Sequence, residues 1–191
     1  HGVYGVGKTS LATQLFTHAV KGETFTDGYL WYRVGQGDQT SNVLEWIGAQ
    51  FGDQTVAQAR NANAKINALR DLLAERDNLL LGLDEVNDSD VARAVIEAAG
   101  NCTVVLNGRK ALGLSDKSKE HELKPLTTDE ATRLFVSLIN RSLAEVDAAD
   151  LQKIGEICEK MGNLPLAIKL TALKHAEGES LVTIQERLEI A

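Results

Sequence analysis

Gly2-Val3-Tyr4-Gly5-Val6-Gly7-Lys8-Thr9 stands almost at the start of the chain, and its reading decides the fold. Gly2, Gly7, Lys8 and Thr9 fill the pattern G-x-x-x-x-G-K-[ST] without a gap. Glycines let such a backbone curl until successive N–H groups point inward, making an anion nest at the start of a helix. The helix itself is legible from Lys8 to Val20. Leu11, Leu15 and Ala19 recur at helical spacing, Ala12 and Phe16 widen the stripe, and Gly22 stops it. Val3, Tyr4, Gly5, Val6 and Gly7, with Ser10 just beyond, are therefore candidate phosphate-binding positions. Lys8 is the point charge for the β- and γ-phosphates, and the Thr9 hydroxyl is a candidate ligand for Mg2+.

Outward from the loop, apolar runs alternate with helical patterns. Gly28 to Val34 is aromatic-rich and bounded by glycines, as a strand is. Val43, Leu44, Ile47 and Phe51 suggest a helix, and Gln58 to Arg76 another, with Ala62, Ile66, Leu69 and Leu73 on one face. Leu79-Leu80-Leu81-Gly82-Leu83 reads as a strand buried on both faces, and Thr103 to Leu106 as a second such strand, with a helix from Val91 to Ala99 between them. This alternation predicts an α/β fold: a P-loop parallel sheet with flanking helices. A loop of this kind normally follows a buried strand, so that first strand is missing here and the chain reads as a piece of something larger.

Near residue 125 the pattern changes. Thr127 and Glu130 form a capping-box pair that opens a helix through Leu143. Leu151 to Met161 follows as a helix closed by Gly162, then Pro165 to about Gly178, then Thr183 to Glu189. The expected organisation is a nucleotide-binding α/β domain over 1–125 and a small all-α helical domain over 126–191.

Bulk properties narrow the function. At 191 residues, 43% hydrophobic and 25% charged, the chain reads as globular and needs no staple. Twenty basic against 27 acidic residues give a net charge of -7, which argues against direct nucleic-acid binding. Cys102 and Cys158 share no metal-ligand spacing and read as buried small hydrophobes, in keeping with a reducing, cytoplasmic setting. No apolar stretch approaches the roughly 20 residues that a membrane span requires.

Three further segments carry chemistry. Asp84, at the end of the Leu79–Leu83 run, is placed to hold the Mg2+ that Thr9 also touches. Glu85, one residue on, is the candidate general base for an attacking water. Arg109, just past the Val104-Val105-Leu106-Asn107-Gly108 run, lies on the same rim of the sheet and is placed to sense a γ-phosphate. Gly162-Asn163-Leu164-Pro165-Leu166-Ala167 is a helix C-cap followed by a proline at the next first turn. The catalytic candidates are thus Lys8, Glu85 and Arg109.

The order glycine loop, LLLGLDEV, VVLNGR, ELKPLTTDEATRLF and GNLPLA resembles the NB-ARC family, the STAND class of P-loop ATPases found in plant disease-resistance proteins, apoptotic scaffolds and bacterial regulators, and a bacterial member is expected. The likeness extends over residues 1 to about 175, including GYLWYRVGQGDQTSNVLEWIGAQFG. The resemblance implies a switch between ATP and ADP, with ADP in the closed resting state and slow hydrolysis. It also implies that Leu164, Pro165 and Leu166 close over the adenine. Protein partners and nucleotide-dependent self-oligomerisation would follow through flanking domains. Asp84-Glu85 replaces the family's frequent Asp-Asp and favours real hydrolysis, while Asn107-Gly108-Arg109 replaces Thr-Thr-Arg and keeps only the arginine. The winged-helix domain with its phosphate-touching histidine would lie beyond Ala191. Two other readings stay open: a non-hydrolysing scaffold stabilised by nucleotide, and an AAA+-type ATPase, which the acidic charge disfavours. The chain has no N-K-x-D-like guanine selector, and adenine itself rests on the resemblance.

Overall fold

Three strands, β1 (Tyr29–Arg33), β2 (Leu80–Asp84) and β3 (Thr103–Leu106), form a parallel sheet in the order β1-β2-β3. The structure is a computed structural model and describes residues 1–114 and 119–190. Parallel strands need crossovers, and the helices supply them. α1 (Lys8–Lys21) precedes β1; α2 (Thr40–Gln50), α3 (Thr55–Gln58) and α4 (Ala62–Leu73) join β1 to β2; α5 (Ser89–Ala99) joins β2 to β3. The register sets Arg33 opposite Asp84 and Leu83 opposite Leu106, so the C-terminal ends of all three strands share one rim. Residues His1 and Lys8–Glu122 make one compact unit, while Gly2–Gly7 group with the residues from Leu123 onward in a second.

In the first unit every residue of β2 is buried, as a continuous apolar run predicts for a central strand. Its core gathers Leu79, Leu81 and Leu83 with Val43, Leu44 and Ile47 of α2, Leu69 of α4 and Val95 of α5. Three local expectations need correction. The buried face of α1 is Ala12 and Phe16, whereas Leu11 and Leu15 are 54% and 45% exposed. Gln58 to Arg76 is not one helix: Ala59 is extended, and the Asn61 side chain accepts from the amide of Ala64 to cap a fresh start at Ala62. β3 is only half buried, and among the described residues it pairs with β2 alone.

Gly82 explains the choice of face on α1. A Cβ there would land on the rings of Phe16 and Trp31, which pack edge to face with centroids 4.8 Å apart. The empty space beside Gly82 is what admits the Phe16 ring. Gly82→Ala is expected to cost about 2–3 kcal/mol through overpacking, read as a lowered urea midpoint with an unchanged slope.

The second unit is helical: α6 (Thr128–Leu138), α7 (Ala148–Lys160), α8 (Pro165–Ala176) and α9 (Leu181–Ile190), with a 3-10 turn at Leu143–Glu145. The capping box is present, with Glu130 accepting from the Thr127 amide at 2.8 Å. α6 stops at Leu138, short of the expected Leu143. Asn140 takes a left-handed conformation, φ 56°, and Arg141 donates its amide back to Val136, which closes the helix end. Phe135, Ile154, Ile157, Cys158, Ile168 and Ala172 form a separate core. Burial pushes the Cys158 thiol up to about 11, so it packs as a small hydrophobe. Among the described residues no helix is long and apolar enough to cross a membrane.

Candidate functional site

In the second unit the glycine loop reaches the start of α8. Gly5 and Gly7 take φ values of 80° and 103°, the left-handed region that a side chain disfavours, as a curled anion nest requires. The Leu166 amide donates to the Gly5 carbonyl at 3.1 Å. Leu164 occupies the N-cap of α8 and Pro165 its first turn, where the missing N–H costs nothing. A side chain at Gly5 would press on Leu166. Val3 and Tyr4 are exposed, and Val6 is buried. Thus Val3 to Gly7 and Leu164 to Leu166, some 160 residues apart in sequence, belong to one packed unit.

The Gly7–Lys8 peptide bond carries the chain into α1 and the first unit. Thr9 donates its hydroxyl to Asp84, 2.9 Å from Oδ2 and 3.2 Å from Oδ1. Asp84 is 3% exposed and also accepts from the Glu85 amide at 3.0 Å. Oxygen donors of this kind suit Mg2+. Among the described residues no three His, Cys, Asp or Glu side chains gather as a cage of their own. An ion here would share its shell with phosphate oxygens and water, the usual habit of Mg2+. Burial pulls the Lys8 ammonium below the usual lysine range, against the attraction of Asp84 and with the repulsion of Arg109. Ser10 is exposed on the first turn of α1.

Glu85 sits at the tip of β2 with φ 61°. Its carboxylate accepts from Arg33 Nη2 at 2.5 Å. That hydrogen bond, helped by the charges of Arg33, Arg109 and Lys8, holds the Glu85 carboxyl below the usual glutamate range. Sequence reasoning gave Arg33 no role; its place follows only from the β1–β2 register. Asn107 is the other residue missed. Its side-chain amide donates to the Lys8 carbonyl at 3.3 Å and to Asp84 Oδ1 at 3.4 Å, so it supplies an N–H to the same cluster. Arg109 is exposed and donates its backbone N–H to Asn87 Oδ1 at 3.2 Å.

A lowered pKa keeps Glu85 ionised to lower pH. If Glu85 is the base, turnover falls on the acid side only below the ordinary glutamate range, and Arg33→Gln moves that limb upward. A pH profile of kcat for the two proteins checks it.

Comparison with known proteins follows the same lines. The model of the NB-ARC domain matches residues 1–145. The chain is 27% identical over 196 residues to disease susceptibility protein LOV1 of Arabidopsis thaliana, covering 93% of this chain and 21% of that protein. It is 26% identical over 183 residues to an HTH-type transcriptional regulator of Mycobacterium bovis, covering 91% and 19%. The chain therefore spans about a fifth of the length of these relatives. A crystal structure of a STAND signal-transduction ATPase with a tetratricopeptide repeat sensor from Pyrococcus horikoshii has the same fold, with TM-score 0.66 and 16% identity over 98% of this chain and 29% of that one.

Proposed function

The chain belongs to the NB-ARC family, and on that premise we propose that it is the ATP/ADP switch of a signalling protein, resting with ADP and hydrolysing ATP slowly. The observation that supports this reading is the Thr9 hydroxyl on the buried Asp84 carboxylate at 2.9 Å, which joins the first turn of α1 to the end of β2. The loop from Val3 to Ser10 holds the phosphates through its amides and Lys8, and Thr9 with Asp84 holds the Mg2+. The ion supplies charge neutralisation on the phosphate oxygens. Leu164, Pro165 and Leu166 give the adenine an apolar neighbour.

Hydrolysis is proposed to run through Glu85. Water attacks the γ-phosphorus, the bond from that phosphorus to the ADP oxygen breaks, and Glu85 takes the water proton. Arg109 faces the charge on the γ-phosphoryl group. Arg33, bound to the same carboxylate, keeps Glu85 weakly basic and turnover low. Partner proteins, self-association and a cytoplasmic setting belong to the same proposal, through segments flanking this domain. Calorimetric titration with ADP, ATP and GDP, each with Mg2+ and with a chelator, tests it. Adenine nucleotides are expected to bind at micromolar concentration or tighter, ATP with help from Mg2+. Binding of GDP alone, or of none of the three, overturns the reading.

A further inference from the structure

Beyond the last paired residues of the sheet, Leu83 and Leu106, β2 and β3 stay linked. Asn107 donates its amide to the Leu83 carbonyl at 2.9 Å, and Val86 donates to the Asn107 carbonyl at 2.7 Å. A Cβ on Gly108 would drive into the Val86 carbonyl oxygen, so the two chain tips touch backbone to backbone. The next link is a side chain. Asn87 donates through Nδ2 to the Glu85 carbonyl at 2.8 Å and accepts through Oδ1 from the Arg109 amide at 3.2 Å. One partner can only accept and the other can only donate, so the orientation of the carboxamide is determined. Glu85, meanwhile, is held in a left-handed conformation that a residue with a side chain keeps only when its surroundings impose it.

We propose that Asn87 is a positioning residue that couples the turn bearing Glu85 to the turn bearing Arg109, so that sensing of the γ-phosphate and aim of the base move together. This rests on the roles proposed above for Glu85 and Arg109. Through one amide, a shift of the Arg109 backbone toward a γ-phosphate pulls on the Glu85 carbonyl, two bonds from the Cβ that aims its carboxylate. Asn87 itself is exposed, and its side chain bonds the backbone of Glu85 and of Arg109. Its replacement therefore separates coupling from binding.

The experiment measures ADP affinity, ATP affinity and turnover for the wild-type chain, Asn87→Ala, Asn87→Asp, Arg109→Ala and the Asn87→Ala/Arg109→Ala double variant. Asn87→Ala is expected to keep ADP affinity within about twofold, lower turnover about tenfold, and bring the ATP-to-ADP affinity ratio to that of Arg109→Ala. The double variant shows the same ratio as Arg109→Ala, since the two act through one link. Asn87→Asp keeps the acceptor for Arg109 and loses the donor to Glu85, so it keeps the affinity ratio and loses turnover. Four results overturn the proposal: Asn87→Ala within twofold of wild type in both turnover and ratio; ratio effects of the two single variants that multiply; turnover and ADP affinity that fall together; or Asn87→Asp matching Asn87→Ala in both readouts. If the wild-type chain binds nucleotide without measurable turnover, the affinity ratios alone decide. Absence of any adenine-nucleotide binding in the wild type defeats the switch reading instead, and the two failures are distinct.

Discussion

Lys8→Ala is expected to weaken binding of both ADP and ATP by about 100-fold, the scale of a charge-assisted hydrogen bond to phosphate and its attendant field. The effect should be large because the cation is already partly desolvated. Burial pulls the Lys8 ammonium below its usual range even with Asp84 nearby. The sign matters for stability. A lysine whose folded pKa is lowered disfavours the folded state wherever the group is charged, below that pKa, and an anion bound beside it relieves the cost. Lys8→Met therefore melts no lower than the wild type in the absence of nucleotide and loses the gain in melting temperature on adding ADP. Equilibrium binding of a fluorescent ADP, with thermal melts of both proteins, checks the two halves together.

Glu85→Gln carries the second large effect. Turnover of ATP is expected to fall by about 100-fold or more, with affinity for ADP and ATP unchanged, because a glutamine keeps the size of the side chain and accepts no proton. Arg33 loses a charged partner in this variant, but the pair is exposed on both sides and contributes little to the fold. The outcome also separates two readings. Loss of turnover with binding retained marks a hydrolysing switch. Turnover that sits at the background rate in both proteins marks a scaffold in which nucleotide is a structural ligand. Single-turnover kinetics distinguish them.

The features legible in the sequence were those whose physics is local. A glycine loop before a lysine, a continuous apolar strand ending in Asp84, a Thr127–Glu130 box and a proline after a glycine cap each carry their geometry within a few residues. Family and fold followed from their order. Two of the errors originate in distance along the chain. On α1, helical periodicity allows two overlapping stripes, one through Leu11 and Leu15 and one through Ala12 and Phe16. The choice between them was made by Gly82, some 66 residues beyond Phe16, whose missing side chain leaves room for the ring. β3 has the composition of an inner strand, yet among the described residues it pairs with β2 alone. Asn61 as a helix cap was local and was overlooked inside a periodic pattern.

The candidate site divides the same way. Lys8, Thr9 and Asp84 were readable from motif spacing, and the first unit brings them together with Glu85. Arg33 and Asn107 were not, because their contacts depend on the parallel register that aligns Arg33 with Asp84 and on the shared rim of β2 and β3. Nothing in the residue types announces such neighbours until the strands are paired.

The most direct test of the switch is to identify what the chain carries. Purified protein is denatured and the released small molecules are separated and identified by mass spectrometry, with Lys8→Ala treated in parallel. The account predicts ADP, with or without ATP, from the wild type and none above background from Lys8→Ala. A wild-type chain that releases no adenine nucleotide, and takes up no more added ADP than Lys8→Ala does, contradicts it.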